Sequence, residues 1–79
     1  MVEKKVKDEL DPRKEMIDAL KSYFGSKINM HRINIEVLLT KNVGVAEHPD
    51  MLSTVEEELS KMAEYHDKLE MLREYFRTV

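Results

Sequence analysis

The chain has 79 residues, of which 42% are hydrophobic and 37% are charged, and its formal net charge at pH 7 is −3. A chain of this length forms at most one domain and buries only about 60% of its unfolded surface, so a folded monomer is expected to be marginally stable. The absence of cysteine excludes a disulfide framework and a thiolate metal site. Oligomerisation is then the remaining route to stability.

The first ten residues, MVEKKVKDEL, are largely charged and are expected to form a loose helical turn or a disordered arm. They lack the apolar core of a signal peptide, and the longest apolar run in the chain is Val37-Leu38-Leu39. A membrane span needs about 20 apolar residues. We therefore expect a soluble, cytoplasmic protein that does not contact membranes.

A first helix is predicted over residues 12–42, with Asp11 as its N-cap and Pro12 at the first helical position. Gly25 costs about 1 kcal/mol within a helix, but the apolar phase continues through it, which predicts a continuous or gently kinked helix. Residues at spacings of three and four define the face expected to pack against a partner helix: Ile17, Leu20, Phe24, Ile28, His31, Ile35 and Leu38.

A second apolar row lies beside the first and widens the apolar surface to roughly 200° of the helix, whereas one neighbouring helix covers about 100°. The surplus is expected to bind another copy of the chain. With two residues from the second helix, the predicted oligomer interface comprises Ala19, Tyr23, Met30, Ile33, Val37, Met71 and Tyr75.

Residues 43–49 are predicted to form the tip that joins two helices, because Gly44 suits a helix C-cap and Pro49 suits a helix start. The tip is unusually apolar. Either Val43 or Val45 closes the end of the first helix, or the tip recognises a partner through Val45, Ala46 and His48.

The second helix is predicted over residues 50–78, with Leu72 on the flank of its packing face. That face is expected to contain Leu52, Val55, Leu59, Met62, His66, Leu69 and Phe76. Two helices of matched length with a short connection predict an all-α antiparallel hairpin, and the surplus apolar surface predicts its pairing into a dimeric four-helix bundle.

Charge is divided between the two predicted helices. Residues 12–42 carry six Lys or Arg against three acids, giving +3, and residues 43–79 carry four against nine, giving −5. Opposite charge favours antiparallel pairing of the helices. Nucleic acid is not an expected partner, because the acidic helix beside the basic one would repel phosphate.

His31 and His66 are both expected on packing faces, His31 opposite about Lys61 and His66 opposite about Ser26. Our interpretation is that they are core histidines hydrogen-bonded to a tyrosine, Asn34 or Glu70. The alternative is a metal site in a symmetric dimer, with Glu70 as a third ligand.

Catalytic motifs are incomplete in this sequence. The Glu-x-x-His pattern of di-iron bundles is absent, because Ile28 and Ala63 precede the two histidines by three residues. His66-Asp67 is similar to the doublet of HD phosphohydrolases, and Glu64-x-x-Asp67 to half of the acidic motif in small all-α nucleoside triphosphate pyrophosphatases. No enzyme activity, catalytic residue, metal or cofactor is therefore expected, and a small metal-dependent hydrolase is the third interpretation.

The stretch KINMHRINIEVLLTKNVGVAEHPDMLSTVEEELSKMAEYHDKLEML, and above all its tip NVGVAEHPD and the segment EYHDKLEML, resembles small uncharacterised helical proteins of T4-like tailed phages, in particular those of marine cyanobacteria. The resemblance implies no activity but a setting, the cytoplasm of an infected bacterium, where such proteins bind host or phage machinery. The His-Pro-Asp entry also resembles helical hairpins of phage anti-defence proteins that sequester cyclic nucleotides as oligomers, although an Arg/Lys phosphate clamp is not evident.

These observations favour a non-enzymatic, self-associating helical module that serves interaction with itself and with a host or phage protein. The alternative is an oligomeric binder of a nucleotide or nucleic-acid ligand, built at the subunit interface.

Overall fold

The computed structural model of the chain describes residues 11–41 and 49–77. Within these ranges the protein is all-helical, as predicted, and contains two helices packed along their length, α1 (Pro12–Thr40) and α2 (Pro49–Tyr75). The smallest dimension of the molecule is 13 Å, close to the diameter of a single helix. The hairpin is therefore one layer thick, and each helix can bury only one stripe of side chains.

The start of α1 is formed as the sequence predicts. The Asp11 side chain accepts a hydrogen bond from the backbone N–H of Lys14, and Pro12 occupies the first helical turn. The helix passes through Gly25 without interruption and ends at Thr40, where the N–H of Lys41 bonds to the Leu38 carbonyl. The expected cap at Gly44 lies outside the described residues.

The register of the hairpin follows from two facing pairs. His31 lies opposite Glu58, and the Phe24 ring lies 6.1 Å from the Tyr65 ring. The residue numbers of each pair, 31 with 58 and 24 with 65, add up to 89, and this descending pairing shows that the helices are antiparallel. The expected pairing of His31 with Lys61 was wrong by almost one helical turn.

The contact between the two helices, which we call the seam, has the α1 face that the sequence predicts. Ile17 and His31 are buried, with 6% and 5% of their surfaces exposed. The other predicted members of this face are half-buried, namely Leu20, Phe24, Ile28, Ile35 and Leu38.

The α2 face of the seam differs from the prediction by a rotation of the helix. Leu69 and Leu72 are buried at 8% exposure each, although Leu72 was expected on the flank. Glu58 and Tyr65 are half-buried, because each has a partner on α1. The seam positions of α2 alternate by four and three: Met51, Val55, Glu58, Met62, Tyr65, Leu69 and Leu72.

Four residues predicted for the packing face of α2 lie instead on the surface. Leu52, Leu59 and Phe76 expose 59%, 52% and 52% of their surfaces, and His66 is also exposed. Rotation of α2 to bring Glu58 and Tyr65 to the seam carries Leu52, Leu59 and His66 out of it. Phe76 keeps the seam spacing, four residues after Leu72, but lies beyond the end of α2 at Tyr75. Neither described helix is long and apolar enough to cross a membrane.

Candidate interaction surface

More large apolar side chains are exposed than buried in the part of the hairpin that the structure describes. Among the described residues, Ile17, Leu69 and Leu72 are the buried apolar side chains, and none is fully enclosed. Eleven large apolar side chains in the same ranges expose between 41% and 65% of their surfaces. Scattered exposed apolar residues are normal on a protein surface, whereas a continuous patch marks an interaction site.

Most of the exposed apolar residues of α1 form one continuous row on the side away from the seam. We call this the outer row, and its positions alternate by three and four: Met16, Ala19, Tyr23, Ser26, Met30, Ile33, Val37 and Thr40. All eight residues are exposed in the hairpin, and none is charged, although 37% of the chain is.

The seven residues predicted for the oligomer interface are all exposed. Ala19, Tyr23, Met30, Ile33 and Val37 belong to the outer row, whereas Met71 and Tyr75 lie on α2. Sequence reasoning missed Met16, which exposes 63% of its surface and precedes Tyr23 by seven residues. That seven-residue spacing was the available signal. The candidate tip residues Val45, Ala46 and His48 lie outside the described residues.

Two polar groups of the outer row already have partners within the hairpin. A hydrogen bond to the Tyr23 side chain is the main cause that raises the pKa of Tyr65, and the two rings meet edge to face at 6.1 Å. The Thr40 hydroxyl donates to the Val37 carbonyl at 2.9 Å. A partner helix could therefore cover Thr40 without leaving its hydroxyl group unpaired.

A polar cluster occupies the middle of the seam. One carboxylate oxygen of Glu58 lies 2.7 Å from Nδ1 of His31 and accepts a second hydrogen bond from the Asn34 amide at 3.0 Å. The His31 ring also stacks on Tyr65, with ring centroids 6.0 Å apart and an interplanar angle of 13°. His31 is thus a core histidine, as interpreted, but its hydrogen-bond partner is Glu58 and not a tyrosine, Asn34 or Glu70; His66 is exposed, so the interpretation was wrong for it.

The hydrogen bond from His31 is the main cause that lowers the pKa of Glu58 below its ordinary value of 4.5, and the bond from Asn34 adds to it. The carboxylate is therefore ionised at neutral pH and can only accept hydrogen bonds. Nδ1 of His31 must carry the shared proton, which defines the orientation of the ring.

The residues considered for metal or catalytic chemistry are not gathered into a site. His66 is exposed, and Glu70 forms an ion pair with Arg73 at 3.7 Å. Glu64, His66 and Asp67 line a shallow groove on α2, but Glu64 is paired with Lys68 at 3.1 Å. Within residues 11–41 and 49–77, no three His, Asp or Glu side chains are placed to hold a metal ion.

Two lysines approach the same aromatic ring from α1 and α2. The ammonium groups of Lys27 and Lys68 lie 5.7 and 5.1 Å from the centroid of Tyr65. Such distances permit cation–π attraction, which is worth about 0.5–1 kcal/mol at an exposed position. Because Lys68 is also paired with Glu64 at 3.1 Å, the net positive charge beside the Tyr23–Tyr65 pair is that of Lys27.

The fold and its surfaces define a class, an antiparallel helical hairpin with an uncharged apolar row on the outside of one helix. In comparisons with known proteins, no family model, no curated protein and no solved structure matches the chain.

Proposed function

We propose that this protein is a non-enzymatic helical interaction module whose working form is a self-associated oligomer, with two hairpins paired into a four-helix bundle. The observation that carries this function is the outer row of α1, eight exposed and uncharged positions at the spacing of a helix–helix seam. A host or phage protein would then bind a surface that the oligomer leaves exposed.

The thin core of the hairpin supports self-association. Its apolar residues are mostly half-buried, so a single hairpin gains little of the stabilisation that burial of apolar surface provides. Small folds without disulfides or metals commonly obtain the missing stability from a second subunit. Covering the outer row would turn the most exposed apolar surface of α1 into core.

Sedimentation equilibrium of a charged double variant tests this function. Ile33→Glu with Val37→Glu places two carboxylates within the outer row, and a buried unpaired charge costs several kcal/mol. We expect the wild-type protein to be a dimer or larger oligomer at micromolar concentration and the variant to be a monomer. Circular dichroism should show substantial helix in both.

The matched control is Leu39→Glu with Leu52→Glu, which changes two leucines of similar exposure, 65% and 59%, outside the outer row. This variant should keep the wild-type mass. A wild-type protein that sediments as a folded monomer would exclude the proposed function. If only the control variant dissociates, the association uses a surface other than the outer row.

The second candidate is an oligomeric binder of an anionic ligand such as a cyclic nucleotide. Its specific support is the pair of ammonium groups of Lys27 and Lys68 beside Tyr65, since ammonium groups attract phosphate. Calorimetric titration of a cyclic dinucleotide into the wild-type protein and into Lys27→Ala/Lys68→Ala tests it. Binding that this variant abolishes, while Lys41→Ala preserves it, would favour this function over the first.

A further inference from the structure

α1 presents its two apolar rows in different directions. At about 100° per residue, the centre of the outer row lies roughly 130° round the helix from the centre of the seam row. A second helix could therefore pack on the outer row while α2 remains on the seam.

The corresponding outer face of α2 is acidic. It alternates by four and three and comprises Ser53, Glu57, Ser60, Glu64, Asp67, Met71 and Glu74. Four of these seven residues carry negative charge, so two copies of this face would repel each other. Exposure of this face to water is therefore more favourable than its burial between two copies. The self-association proposed above is thus expected to use the outer row of α1 and not this face of α2.

We infer that two copies associate through their α1 helices, packed antiparallel about a two-fold axis at the level of Ile28. This inference rests on the proposed self-association and adds which helix pairs, in which direction and in which register. The two α1 helices then lie at the centre of the four-helix assembly, and each is flanked by the α2 helix of its own copy.

The sizes of the residues that would face each other across the two copies support the antiparallel direction. When facing residues have numbers that add up to 56, Ala19 meets Val37 of the second copy, and Ser26 meets Met30 of the second copy. Met16 likewise meets Thr40. In each of these layers a small or shorter residue faces a larger one, so the two surfaces interdigitate, as side chains do in densely packed protein interiors. In a parallel pair each residue would meet its own copy, which would leave gaps at Ala19 and Ser26.

The register in which facing residue numbers add up to 56 also brings every residue of the outer row into the contact. The next antiparallel register, with facing numbers that add up to 49, leaves Val37 and Thr40 beyond the contact. Antiparallel packing further places the positive N-terminal end of each α1 dipole beside the negative C-terminal end of the other. Direction and register are therefore both determined by the pattern of the outer row.

Spin-label distances in the full chain test the pairing directly, because the protein contains no cysteine to interfere with labelling. Glu15 and Glu36 are exposed and lie outside the outer row, and each is replaced in turn by a labelled cysteine. At 1.5 Å per residue, the inferred register separates the two Glu15 positions by about 39 Å along the helices and the two Glu36 positions by about 24 Å.

Distances near these two values would support the inferred pairing. Short and equal distances at both positions would show parallel packing, and any other pair of values would show a different register or surface; either result overturns the pairing while self-association stands. A monomer in sedimentation would overturn both the pairing and the proposed self-association.

A second measurement compares point variants: Met30→Glu should weaken the dimer at least about 100-fold, whereas Met71→Glu on α2 should leave it unchanged. Equal weakening by both variants would contradict the assignment to α1.

Discussion

His31 and Glu58 form a direct link across the middle of the hairpin, with Nδ1 2.7 Å from the carboxylate and 7% and 16% of their side chains exposed. Because a buried polar group without a partner is costly, this pair disfavours any alignment of the two helices that separates the two residues. The link therefore selects the register of the antiparallel hairpin as well as stabilising it.

Replacing His31 by leucine should lower the free energy of unfolding by about 1–3 kcal/mol, because it removes one donor from a partly buried carboxylate. The lower end of this range is expected, since Glu58 keeps its hydrogen bond from Asn34. The measurement is urea denaturation at one fixed protein concentration, because the stability of an oligomer depends on concentration.

Two further variants serve as controls for the effect of His31→Leu. His66→Leu, at an exposed histidine, should change stability by no more than about 0.5 kcal/mol, and added chelator should make no difference. In the double variant His31→Leu/Glu58→Leu most of the lost stability should return, because apolar residues replace both partners. A double variant less stable than either single one would contradict this account of the pair.

Acid should weaken the hairpin through Glu58. Since the pKa of this carboxyl is lower in the folded protein than its ordinary value of 4.5, its contribution is fully present above pH 4.5 and is lost as the pH falls through the folded-state pKa. Melting temperatures of the wild-type protein and Glu58→Gln should therefore converge as the pH decreases below 4.5. A difference that stays constant or grows in acid would contradict the role of the charged form.

Gly25→Ala should raise the free energy of unfolding by about 0.5–1 kcal/mol, because alanine loses less conformational freedom within a helix. A Cβ atom at this position would meet no atom within 4 Å, and φ there is not positive. The matched control is Ala63→Gly in α2, which should lower stability by a similar amount in the same thermal melt. A destabilised Gly25→Ala would indicate that a second chain approaches the backbone at this point.

Asp11→Ala should lower stability by about 1 kcal/mol, because the side chain satisfies the N–H of Lys14 at the start of α1. Asp11→Asn should retain most of this contribution, since the amide oxygen can accept the same hydrogen bond. Chemical denaturation of the three proteins provides the comparison, and equal stability of Asp11→Ala and wild type would show that the cap is frayed in solution.

Helical content and the face of α1 could be predicted from the sequence because each depends on short-range patterns. The Asp11-Pro12 start uses one local hydrogen bond, and the spacing from Ile17 to Leu38 places those side chains on one side of any helix. The outer row was equally visible, apart from Met16, Ser26 and Thr40, because its spacing is a property of α1 alone.

The face of α2 was decided only by the tertiary structure. Periodicity within α2 favours Leu52, Leu59 and His66, and it assigns Glu58 to solvent because a carboxylate is costly to bury. Glu58 lies in the seam because His31 on the other helix donates to it, and Tyr65 because it stacks on the same ring. A sequence determines which residues share a face of its own helix, whereas the rotation of one helix against another depends on hydrogen bonds and ring contacts between residues far apart in the chain.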